Sequence, residues 1–136
     1  MTFTKAILIT CFVLLLHAIG ILFGLYGFVD WYDIPLHFGG GFAMGALGLA
    51  IWQQGIHEVR FKKRLERHLS LWLVPLFVIG FVSFISIGWE VHEYILDEVF
   101  TGAIRQPGIA DTMYDFVFDL SGGLVALLIF YRYEKH

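Results

Sequence analysis

The stretch 69–93, LSLWLVPLFVIGFVSFISIGWEVHE, carries no formal charge until Glu90, and a second glutamate follows at Glu93. As a helix rising 1.5 Å per residue, its apolar part is about 30 Å long, the thickness of a bilayer's hydrocarbon core. The stretch is therefore read as a transmembrane helix that runs into acid where it leaves the lipid. Pro75 falls inside it, where it kinks the helix or marks its first turns.

Three further runs have the same character. The spans predicted are about 5–29, 36–52, 69–89 and 114–131. The first is broken only by His17, threonine and glycine. It is too long for the apolar core of a signal peptide and has no A-x-A site before Asp30, so it is read as a retained span. The second is short and glycine-rich. Its Gly41, Gly45 and Gly48 share one helical face, where a neighbouring backbone can approach closely. Pro35 and Pro107 lie near element ends, where proline costs little.

Of the 136 residues, 58% are hydrophobic and 15% charged, against roughly 45–50% and about 25% in soluble domains. The fold class expected is all-α: a polytopic membrane protein with four transmembrane helices in a single domain, 1–136. The single cysteine, Cys11, excludes an internal disulfide and a cysteine-built metal cage, and is read as a small packing residue. Nucleic acid is not expected as a partner, because no basic run with interleaved aromatics occurs. Membrane lipids are. The glycine face of the second span would also suit a homo-oligomer.

Eight of the nine Lys and Arg residues fall before the first span, in the loop 57–68, or after the fourth. With four spans these segments share one side, and the positive-inside rule makes it cytoplasmic, with both termini. Only Arg105 lies opposite. Nine of the twelve acids gather on that opposite, outer side.

Spacing gives the acids a direction. Asp33 and His37 are four apart at the start of the second span, and so share a face. Glu90 and Glu93 are three apart at the end of the third. Asp111, Asp115 and Asp119 form one stripe entering the fourth, which brings Asp119 roughly 7 Å below Tyr114 along the axis. A carboxylate facing lipid there costs on the order of 1–3 kcal/mol. The inexpensive arrangement turns all three stripes inward, toward a cation, shared protons or Arg105. A polar pocket between spans two, three and four, open to the outside, is expected.

His92 lies about 200° round the helix from Glu90 and is expected to face solvent or headgroups. His17, alone within the first span, is read as a hydrogen-bonded packing residue. Trp31, Tyr32, Trp89, Tyr94 and Tyr114 are read as an outer interfacial belt.

Three motifs recur in order: Asp33-x-x-x-His37-Phe38 with glycines following, Trp89-Glu90-x-x-Glu93-Tyr94, and Asp111-Thr112-x-x-Asp115-x-x-x-Asp119-x-x-Gly122. Over residues 30–123 this order resembles the bacterial inner-membrane family that includes YjdF. It is more distantly similar to the VanZ-like proteins, whose type member is linked to teicoplanin resistance. That group usually has lysine where this chain has Ile34, and favours glutamine and asparagine in place of Glu93 and Asp119. The resemblance implies a multi-pass protein of the inner membrane with a shared polar site.

Three functions stay open. In the first, Asp33, His37, Glu90, Glu93, Asp111, Asp115 and Asp119 hold a divalent metal ion as cofactor. Oxygen ligands suit Mg²⁺, Ca²⁺ or Mn²⁺, and His37 admits Zn²⁺ or Fe²⁺. Such an ion could hold a lipid or phosphate headgroup, with His37, oriented by Asp33, as ligand or general base. In the second, the acids line a cation- or proton-coupled path. In the third they are interhelical glue in a non-catalytic scaffold.

Overall fold

The computed structural model describes residues 1–29, 31–56, 63–99 and 108–131, with side chains for all of these except 56 and 63–70. Helix α1 runs Phe3–Leu22, a single turn α2 spans Leu25–Phe28, α3 runs Asp33–Ile51, α4 Lys63–Val99 and α5 Ile109–Phe130. Among the described residues, four helical stretches are long and apolar enough to cross a membrane: Phe3–Leu22, Asp33–Gly55, Leu71–Val99 and Ile109–Phe130. The expected all-helical, four-span membrane architecture is the one observed.

The helix bounds depart from the apolar runs for physical reasons. The first run breaks at Gly24, whose φ of 65° is left-handed and accessible to glycine at little cost. Past Ile51 the second helix widens into a π-helical turn, Trp52–Ile56. Pro75 sits within α4. Beyond Trp89, α4 continues for three more turns to Val99, carrying Glu90 and Glu93 in regular helix. Helix α5 starts at Ile109, ahead of the apolar segment, because Asp111 in its first turn faces the positive end of the helix dipole. The cation-rich segment 57–62, Asp30, Arg105 and Pro107 lie outside the described residues.

Helix α3 is central, packed against α1, α4 and α5. Its closest partner is α5, which runs parallel to it, and glycine makes that approach possible. A Cβ on Gly41 would stand 1.9 Å from the Asp119 carbonyl oxygen, and one on Gly122 2.0 Å from that of Phe38. One on Gly45 would meet Ala126 and Gly123 at 2.9 Å. The glycine face read as a surface for a second copy is thus filled from within the chain, mainly by α5. Packing within the chain therefore uses that face.

Helix α4 lies antiparallel to both. Leu49, Val74, Val78, Val82 and Leu127 form a core at the end remote from the acids, and Ala6, Ala46 and Ala50 join α1 to α3. The N-terminal ammonium donates to Gln53 Oε1 at 2.7 Å, tying the start of α1 to the end of α3. Cys11 is exposed on the outer surface of α1 rather than packed. With Leu8, Phe12 and Leu15 also exposed, that surface is the one suited to lipid.

Candidate metal centre

Helices α3 and α5 begin at the same end of the bundle, and α4 ends there. Three short motifs distant in sequence are therefore brought to one place. His37, one turn inside α3, is buried, as are Glu90 and Glu93 on α4 and Asp115 and Asp119 on α5. Asp33 and Asp111, in the first turns of α3 and α5, are partly exposed and form the mouth. Both helix N-termini direct their positive dipole ends toward this anionic end of the bundle.

The His37 imidazole stands at the centre. Its Nε2 is 3.5 Å from Asp33 Oδ2 and 3.7 Å from Asp115 Oδ1. Its Nδ1 is 3.4 Å from Asp119 Oδ2. Three groups of side chains bring potential ligand atoms within 4.8 Å of one another: Asp33 with His37 and Glu93, His37 with Glu90 and Asp115, and Asp33 with Asp111 and Asp115. Six of the seven residues expected to ligate thus fall into these groups.

Asp119 is the exception. It lies on the Nδ1 side of His37, away from the other acids, and belongs to none of the groups. The residue bonded to His37 Nδ1 is Asp119, whereas Asp33, expected to orient the ring, faces Nε2 among the prospective ligands. An i, i+4 spacing places Asp33 on the same face as His37 but does not say which ring nitrogen it meets.

Ser86 was not singled out in the sequence. It is buried, and its hydroxyl donates to Asp119 Oδ2. The signal was present: Ser86 is four before Glu90 and seven before Glu93, on the same face of α4.

Buried oxygen atoms here lack ordinary partners. Glu93 is only 1% exposed, and neither of its carboxylate oxygens makes a hydrogen bond among the described residues. The same holds for Asp115 Oδ2 and His37 Nε2.

Beside the centre, a cavity of about 240 Å³ opens between α1, α3 and α4. Asp33, His37, Ser86 and Asp119 contribute to one part of its wall, and residues such as Val13, Leu14, Met44 and Ile85 make the rest apolar. His17 belongs to this wall. It is hydrogen-bonded through Nδ1 to the Tyr26 hydroxyl and packs edge-on against Trp89 with ring centroids 4.8 Å apart. Tyr26 in turn meets Tyr32, whose hydroxyl donates to the Leu16 carbonyl at 2.7 Å. Of the aromatics read as an interfacial belt, Trp31, Tyr94 and Tyr114 are exposed, while Tyr32 and Trp89 are part of this ring cluster. His92 is exposed and leans on Trp89, apart from the acids.

No curated protein and no solved structure matches this chain. A family model does, over residues 2–136, and so takes in every helix that builds the carboxylate–histidine centre. The chain belongs to the DUF2238 family of predicted membrane proteins.

Proposed function

We propose that this protein binds a divalent cation in its carboxylate–histidine centre and presents the ion to the phosphate headgroup of a membrane lipid. The observation that carries the reading is Glu93, a buried carboxylate with neither oxygen hydrogen-bonded among the described residues. Burying one charge costs several kcal/mol even after relaxation, and the cost is offset by close counter-charge or hydrogen bonds or avoided by taking up a proton. A cation among Glu93, His37 and the aspartates supplies that counter-charge.

The histidine acts as a ligand in this reading rather than as a base. Asp119 occupies Nδ1, as in carboxylate–histidine–metal arrangements, and leaves Nε2 for the ion. Hard oxygen donors favour Mg²⁺, Ca²⁺ or Mn²⁺, and the imidazole extends the range to Zn²⁺ or Fe²⁺. The cavity supports a lipid as the ion's partner, since it offers polar residues beside the centre and an apolar flank. A resemblance to VanZ-like proteins, read from the motifs alone, would add a common polar site and architecture but no reaction. Ile34, Glu93 and Asp119 make this site the more anionic of the two. The charge bias of the termini and the segment 57–68 supports a cytoplasmic placement for both ends and an inner-membrane location.

A coupled cation path has less support. The described core on the far side of Asp119, built on Val74, Val78 and Leu127, offers a cation no ligand.

The test is elemental analysis of detergent-purified protein, compared with Asp115→Asn and Glu90→Gln. Wild type should carry stoichiometric divalent metal that both variants lose, and chelation should release bound phospholipid phosphorus together with the metal. Equal, substoichiometric metal in all three proteins sinks the cation reading. Phosphorus retained after chelation sinks the headgroup. A metal-free protein whose stability nevertheless falls on the same substitutions would instead be a scaffold.

A further inference from the structure

We infer that the centre holds two divalent cations, bridged by Asp115, one in a buried inner position and one at the mouth. The inference rests on the cation reading above and extends it to number and arrangement.

Two of the three ligand groups, His37–Glu90–Asp115 and Asp33–Asp111–Asp115, share Asp115 and nothing else. The first is buried throughout, whereas the second includes the two partly exposed aspartates from the helix starts. The two oxygens of a carboxylate can each take a separate ion. Asp115 is placed for that. Its Oδ1 faces His37 Nε2 at 3.7 Å, while its Oδ2 is buried without a hydrogen-bond partner among the described residues. The remaining group, Asp33–His37–Glu93, connects the two positions and gives Glu93 to the inner ion.

Charge balance points the same way. Asp33, Glu90, Glu93, Asp111 and Asp115 could carry five negative charges, with Asp119 already engaged by Ser86 and His37. A single divalent ion offsets two of them. Among residues with described side chains, Lys5 is the only Lys or Arg, and it stands at the other end of α1. A second ion offsets two more of them. Ions sharing a bridging carboxylate stand about 3.5–4 Å apart.

The inner position, with one imidazole, suits Mn²⁺ or Zn²⁺, and the outer, all-oxygen position Mg²⁺, Ca²⁺ or Mn²⁺. Mn²⁺ is therefore the probe that reports on both. Metal-stripped protein would be titrated with Mn²⁺, the bound ion counted, and electron paramagnetic resonance recorded. Wild type should take up two Mn²⁺ per chain with the spectrum of a spin-coupled pair. Asp111→Asn, at a partly exposed position, should keep one Mn²⁺ with an uncoupled signal. Saturation of wild type at one uncoupled Mn²⁺, or two ions with no coupling, overturns the bridged pair and leaves the cation reading standing. No binding at all overturns both.

Discussion

His37 is engaged through both ring nitrogens, and the two contacts differ in kind. Asp119, held by the Ser86 hydroxyl, fixes Nδ1, and the prospective ligands surround Nε2. A carboxylate on the far nitrogen sets the tautomer and raises the basicity of the ligating one, and losing such a partner costs about 10–100-fold in metal affinity. Asp119→Asn should therefore weaken divalent-metal binding by about 10–100-fold without abolishing it, and Ser86→Ala should do so to a smaller extent. Competition with a fluorescent chelator measures both. Full loss of metal in Asp119→Asn would mean that Asp119 ligates directly, and unchanged affinity would mean that it does not act on His37. Asp33 and Asp111 contribute at the same scale by standing in the first turns of their helices, where negative charge is favoured by about 0.3–1 kcal/mol each.

At the scale of the element, the α3–α5 pair decides where those side chains meet. Gly41 and Gly122 bring the two backbones so close that a methyl group at either would stand about 2 Å from a carbonyl oxygen. That oxygen belongs to backbone, so neither side can yield by changing rotamer. Gly41→Ala should cost roughly 1–3 kcal/mol or more, as overpacking does, and should lower the melting temperature in detergent. Gly88→Ala on α4, where a Cβ meets nothing within 4 Å, should leave it unchanged. Because Asp119 provides the carbonyl that Gly41 touches, Gly41→Ala should also reduce metal content. A Gly41→Ala protein with wild-type stability would remove this account of how the two helices are held.

Among the described residues, the molecule is a bundle with its acids at one end and an apolar core toward the other. Its four candidate spans put the start of α1 and the end of α5 on one side of any membrane they cross, away from Asp33 and Asp111. The cation bias predicts that this side is the cytoplasm. A green fluorescent protein fused after His136 should then fluoresce, and a periplasmic alkaline phosphatase at the same place should be inactive. The reverse pair of results would invert the topology and turn the carboxylate centre toward the cell interior.

Fold class was legible in the sequence because bilayer thickness imposes a length on any apolar run, and 69–93 meets that length before its first acid. The acids on one side of the membrane, and the face each takes on its own helix, were legible because helical spacing is local and periodic. The contacts between faces were not. That Gly41 and Gly45 receive α5 rather than a second chain, that Asp119 rather than Asp33 takes Nδ1 of His37, and that Ser86 joins them depend on helix approach and rotation. Those quantities come from close packing among side chains far apart in the chain, and a one-dimensional pattern does not contain them.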